Sequence, residues 1–143
     1  MSNNGDLFKY ALVKEIESWN KDIEVKIEKI VGCRFVDSPR KLDIALRNKK
    51  NNKFLAIEAK FQKESGTAYQ KLIYTMEDCK SCPIPTIIVF CGDGIKQDLK
   101  SRLIQSGIGL EVKYEDGVIK DKYKLFKQRV YMELGLNWFE IYE

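Results

Sequence analysis

Two carboxylates and an amine in this chain have the spacing needed to share one act of hydrolysis. Asp43 stands in the alternating run KLDIALR, and Glu58 and Lys60 stand in KFLAIEAKFQ, with Glu58 fifteen residues beyond Asp43. The sequence contains no histidine, which excludes Ser-His-Asp and Cys-His catalysis and the histidine-ligated metal hydrolases. Any hydrolytic chemistry must therefore use carboxylates, lysine and metal.

The elements that position these residues can be read from the apolar pattern. Alternation puts Leu42, Ile44 and Leu46 on one face of a strand and Asp43, Ala45 and Arg47 on the other. After the polar stretch NKKNN, a second strand presents Leu55, Ile57, Ala59 and Phe61 on one face and Phe54, Ala56, Glu58, Lys60 and Gln62 on the other. A hairpin turn centred on Lys50 and Asn51 sets Asp43 directly opposite Glu58. Carboxylates facing each other across a ladder repel, so a cation between them is expected, and Mg2+ (with Mn2+ as substitute) suits a few carboxylate oxygens plus water. Lys60 is placed to orient or deprotonate the attacking water, or to stabilise charge growing on a phosphate, and Gln62 to position a ligand or water. The competing reading is an ordinary amphipathic hairpin with its charged face in water. Phe54, Ala56 and Ala45 on that same face argue against it.

Upstream, Leu7, Phe8, Ala11, Leu12, Ile16 and Trp19 recur at helical spacing and predict a helix from about Asp6 to Asn20. Glu15 falls within the apolar stripe, whereas Glu17 falls on the solvent side. Downstream, Thr67 and Gln70 can form a capping box ahead of a helix that carries Leu72, Ile73 and Met76 and ends near Cys79. PTIIVFCGDG reads as a strand buried on both faces, in a central or parallel position. Ile95, Leu99 and Leu103 then support a helix up to Gly107, a strand follows around Leu110 to Tyr114, and another helix is expected over Tyr123 to Leu134. Helix, strand, strand, helix, strand, helix, strand implies an α/β domain with a mixed sheet and helices on both sides.

A chain of 143 residues that is 44% apolar can close one core, so a single domain is expected over 1–143, with its core at about 6–114 and a C-terminal extension at 115–143. No run reaches the ~18 apolar residues of a membrane span, and MSNNGDLFKY lacks a secretory apolar stretch, so a cytoplasmic location is expected. The net charge of +4 is compatible with a polyanionic partner without demanding one. Basic residues cluster in RKLDIALRNKKNNK and KDKYKLFKQR. Of the four cysteines, only CKSC (Cys79 and Cys82) has ligand-like spacing. It follows a helix rather than opening one, so reduced structural thiols are preferred over a zinc or redox pair.

LDIAL, then IEAKFQ, then SGTAYQKLIYTMEDC resembles the PD-(D/E)XK superfamily, in its restriction-endonuclease-like branch, over roughly Leu42 to Gly94. The resemblance implies an αβββαβ core with a mixed central sheet flanked by helices, and magnesium-dependent cleavage of phosphodiesters. It implies Asp43 and Glu58 as metal ligands, Lys60 as the catalytic lysine, and Glu15 as the first-helix acid that supports the metal. Pro39 stands four residues before Asp43 instead of adjoining it, which leaves Asp37 as a reserve ligand. The expected function is a DNA endonuclease, a restriction enzyme or the small catalytic subunit of one, working on DNA as a homodimer or with a larger subunit. A Holliday-junction resolvase and a non-catalytic binding subunit are the alternatives. Lys41, Arg47 and Lys71 are the expected phosphate contacts.

Overall fold

The computed structural model describes residues 4–35, 37–63 and 68–142. Helix α1 (Asn4–Glu17) is followed by three strands, β1 (Ile23–Phe35), β2 (Ser38–Asn48) and β3 (Phe54–Phe61). Helix α2 (Ala68–Lys80), strand β4 (Thr86–Cys91), helix α3 (Gln97–Gln105) and strand β5 (Gly109–Glu111) complete a five-stranded sheet of order β1-β2-β3-β4-β5. β1, β2 and β3 are antiparallel neighbours, while β3, β4 and β5 run parallel. This is the expected mixed α/β sheet flanked by helices.

The residue pattern missed β1, although Ile23, Val25 and Ile27 alternate with Glu24, Lys26 and Glu28; the third strand was implied only by the family resemblance. The strand expected at Leu110 to Tyr114 is two pieces, because the chain leaves the main sheet at Val112 and pairs β6 (Lys113–Glu115) with β7 (Val118–Lys120) as a separate hairpin. The capping residue Thr67 lies outside the described residues.

β4 explains why its sequence is apolar without alternation. Ile87, Val89 and Cys91 face a core that includes Phe8, Leu12 and Ile16 of α1 and Ile44, Leu46, Leu55 and Ile57 of the hairpin. Ile88 and Phe90 face the opposite core, with Leu72 and Met76 of α2 and Leu99 and Leu103 of α3.

The segment after Glu115, expected as an extension, is built into the first of these cores. Helix α4 (Leu125–Leu134), which follows a short 3-10 turn at Lys122–Lys124, contributes Phe126, Val130, Tyr131 and Leu134. Asp121 starts the helix by accepting the backbone N–H groups of Phe126 (2.9 Å) and Lys127 (3.0 Å). At the other end, the side-chain amides of Asn48 and Asn51, from the β2–β3 connection, donate to the Leu134 carbonyl at 2.8 and 3.1 Å. α4 is thereby bolted to the hairpin that carries Asp43 and Glu58.

Candidate active site

The β2–β3 ladder runs from Arg47↔Phe54 to Ile44↔Ile57, and the next step of this register sets Asp43 opposite Glu58. There the backbone N–H of Ala59 donates to Asp43 Oδ2 at 2.9 Å, so a side chain takes over as acceptor at the end of the ladder. Glu58 and Lys60 pair in register with Ile88 and Phe90 of β4, and therefore share the sheet face covered by α2 and α3. The polar row lies under α2, not on an open face.

That placement controls the electrostatics. Glu58 is only 7% exposed. Burial, and next the charge of Asp43, push its carboxyl up to about 8; Lys60 opposes the shift, and a hydrogen bond with Asp43 adds to it. Two acids in one low-dielectric spot thus demand either a shared proton or an added cation. α2 is held over the pair by Asp78, which accepts from Arg40 Nη2 (2.7 Å) and Arg34 Nε (3.1 Å) of the β1–β2 ribbon. Cys79 sits close enough to feel Glu58, and burial foremost raises its thiol to about 12. A thiol that resists ionisation is a poor metal ligand, which favours a packing role for this half of CKSC.

Asp43 and Glu58 could hold a divalent ion only as a two-carboxylate set completed by other ligands, because among the described residues no three His, Cys, Asp or Glu side chains gather closely enough to hold a metal. An ion such as magnesium, which usually keeps several waters, is compatible with so small a protein ligand set.

Comparison with known proteins decides the family. Residues 5–135 match the family description of a PD-(D/E)XK nuclease superfamily domain. The chain belongs to this superfamily. Its members are generally nucleases, usually dependent on divalent metals. No curated protein and no solved structure matches the chain significantly.

Within this PD-(D/E)XK domain the remaining expected residues separate. Gln62 follows β3 directly; its N–H donates to the Cys91 carbonyl at 3.0 Å and its carbonyl accepts from Gly94 at 2.8 Å. Gly92 lies so close that an added Cβ would stand 2.1 Å from the Gln62 oxygen. Glu15 is not brought to the pair: its carboxylate accepts from Trp19 Nε1 at 3.2 Å, and its charge is felt by Asp121. Glu15 lies on the last turn of α1, and α1 packs on the sheet face of Ile44 and Ile57, opposite the face that carries Glu58. Asp37 lies in the turn between β1 and β2, six residues before Asp43.

Lys9 is 6% exposed and donates from Nζ to Glu28 Oε1 at 3.2 Å. Of the expected phosphate contacts, Lys41 and Lys71 are exposed, but Arg47 is bound to Glu24 and Asn52, each at 2.7 Å. A different basic surface emerges at the carboxyl ends of β3 and β4. A cavity of about 700 Å³ there is lined by Lys63, Lys113 and Lys122, together with the ion pairs Lys100–Glu111 and Lys120–Glu115. The charge run KDKYKLFKQR was its only sequence signal, and nothing in that run located it. No helix is long and apolar enough to cross a membrane, among the described residues.

Proposed function

We propose that this domain is a Mg2+-dependent DNA endonuclease, in the role of a restriction enzyme or its small catalytic subunit, with Asp43 and Glu58 as metal ligands. The observation that supports the reading is the Asp43–Glu58 pair at the end of the β2–β3 ladder, with Glu58 buried and Lys60 on the same face. A bound divalent ion would supply a water of lowered pKa and offset charge on the phosphate. Asp43 would keep one oxygen on the Ala59 N–H and offer the other. Glu58, protonated without a cation, would give up its proton on metal binding and be held in line by β4 and α2. Lys60 would orient the attacking water and neutralise charge that grows on the phosphate in the transition state. Gln62, one residue past the end of β3, would position a ligand or water. The lysines at the carboxyl ends of β3 and β4 would carry the phosphate backbone away from the centre, where α/β sheets generally receive ligands.

The test is incubation of pure protein with supercoiled plasmid and Mg2+, alongside Asp43→Asn and a four-way DNA junction. Relaxed or linear plasmid with wild type and none with Asp43→Asn is the expected result. Cleavage confined to the junction would reassign the substrate to branched DNA, and equal cleavage by Asp43→Asn would refute the site.

A further inference from the structure

We propose that the cavity at the carboxyl ends of β3 and β4 is a pocket for one unpaired nucleotide of the DNA strand being cut, with its phosphates on Lys63, Lys113 and Lys122 and its base against Tyr114. DNA with unpaired nucleotides beside the cut is then the preferred substrate. The inference rests on the reading of this domain as a DNA endonuclease centred on Asp43 and Glu58.

The cavity, of about 700 Å³, draws its walls from both sides of the sheet. Phe61, Cys91 and Tyr114 come from the side that α1 covers, and Lys100 and Ile104 come from α3, so it opens over the sheet's end. Two of its lysines are neutralised, Lys100 by Glu111 at 2.7 Å and Lys120 by Glu115 at 3.0 Å. Lys63, Lys113 and Lys122 form no ion pair among the described residues, and Asp93 is the one remaining acid in the lining. Such a surplus of ammonium groups about a concave wall attracts a polyanion. The wall is aromatic as well as basic. Tyr114 meets Phe61 edge-on, with ring centroids 6.0 Å apart and planes at 88°, and Phe8 packs against these rings at 5.7 and 6.1 Å. Rings fixed against one another form a platform on which any base can stack.

Size and chemistry together select the occupant. A cavity of this volume suits a ligand on the scale of one nucleotide, not a duplex. A base must therefore leave the helix to enter it. Unpairing a base costs about as much as stacking it on an aromatic ring returns, so a paired base stays in the duplex and an unpaired one is captured. The position fits the strand that is cut. Three residues separate Lys60 from Lys63, at most about 11 Å of chain, which matches the rise of about three nucleotides of a duplex strand.

The experiment is fluorescence anisotropy of labelled DNA with the full chain in Ca2+. The ligands are a blunt duplex, the same duplex with a single-stranded tail of either polarity, and the tailed duplexes with abasic sites throughout the tail. Wild type is expected to bind one of the tailed duplexes about tenfold tighter than the blunt one, and the matching abasic tail, which keeps its phosphates, should lose most of that gain. Tyr114→Leu keeps an apolar side chain against Phe8 and Phe61 but no ring face. It should bring tailed and blunt duplex within about threefold while leaving blunt affinity unchanged. If that variant folds poorly, the abasic tail still tests the base contact on wild type alone. Blunt and tailed duplexes bound alike, or abasic and natural tails bound alike, would overturn the inference; dAMP bound by a protein that does not distinguish tailed from blunt DNA would assign the pocket to a free nucleotide. None of these results touches plasmid cleavage at Asp43 and Glu58. A tail preference in a protein that cuts no DNA with Mg2+ would instead refute the nuclease reading, and with it the claim that the bound nucleotide belongs to a strand being cut.

Discussion

Glu58→Gln should make the metal-free protein more stable, by an amount that grows with pH. The substitution keeps the shape and a donor toward Asp43 while removing a charge that the fold resists. Glu58 is raised from 4.5 to about 8, foremost by burial and then by Asp43. In the window between these values the native state keeps a proton that the unfolded chain has lost, so raising pH favours unfolding. Stability from this group is complete below pH 4.5, is lost progressively as pH rises to about 8, and is level beyond. At about 1.4 kcal/mol per pH unit, the loss by pH 7 is at most ~3 kcal/mol. Water entry and local opening would reduce it, and a gap of at least ~1 kcal/mol is expected. The assay is urea unfolding in EDTA at pH 5, 6, 7 and 8, followed by tryptophan fluorescence from Trp19 and Trp138. The two proteins should nearly coincide at pH 5 and diverge toward pH 8. Added Mg2+ should close the gap by stabilising wild type alone. A gap independent of pH, or a variant less stable than wild type at pH 8, would refute the argument that this carboxyl is held against its ionisation.

Lys60→Ala should slow plasmid cleavage ~100-fold or more while DNA affinity in Ca2+ stays within a few-fold, since its charge is needed chiefly in the transition state. Lys60→Arg should rescue poorly, because a planar guanidinium does not replace a compact amine; affinity falling in step with rate would make Lys60 a phosphate anchor instead. DNA affinity should fall steeply with salt, and Lys63→Ala, Lys113→Ala and Lys122→Ala should each lower the slope of log affinity against log salt by about 1, whereas an unchanged slope would clear the cavity of a DNA role. Gly92→Ala should destabilise by ~2–4 kcal/mol in urea unfolding, because φ is +110° and the new Cβ would meet the Gln62 oxygen at 2.1 Å; a smaller loss would show that β3 and β4 can part at this end.

The sequence disclosed most where one-dimensional spacing maps directly onto geometry. In a two-stranded ribbon with a short connection, the turn fixes the register, and Ile44↔Ile57 through Arg47↔Phe54 is the pairing that a turn at Lys50 and Asn51 requires. The facing of Asp43 and Glu58 follows without tertiary knowledge. Which side of the sheet is covered does not follow. Ala45, Ala56 and Phe54 hinted that the acidic face was not solvent, but only the packing of Ile88 and Phe90 against α2 and α3 shows that Glu58 is buried.

α1 shows the limit most clearly. A helical wheel reports the angle of a residue about the axis and discards its position along it. Glu15 has an angle that points inward, yet it lies on the last turn, where it meets Trp19. Lys9 carries a charge, so composition assigns it to solvent, and the structure buries it. Its burial depends on Glu28, nineteen residues away on a strand that leaves regular geometry at that point. No local pattern encodes such a contact, because each half looks like an ordinary surface residue in its own element.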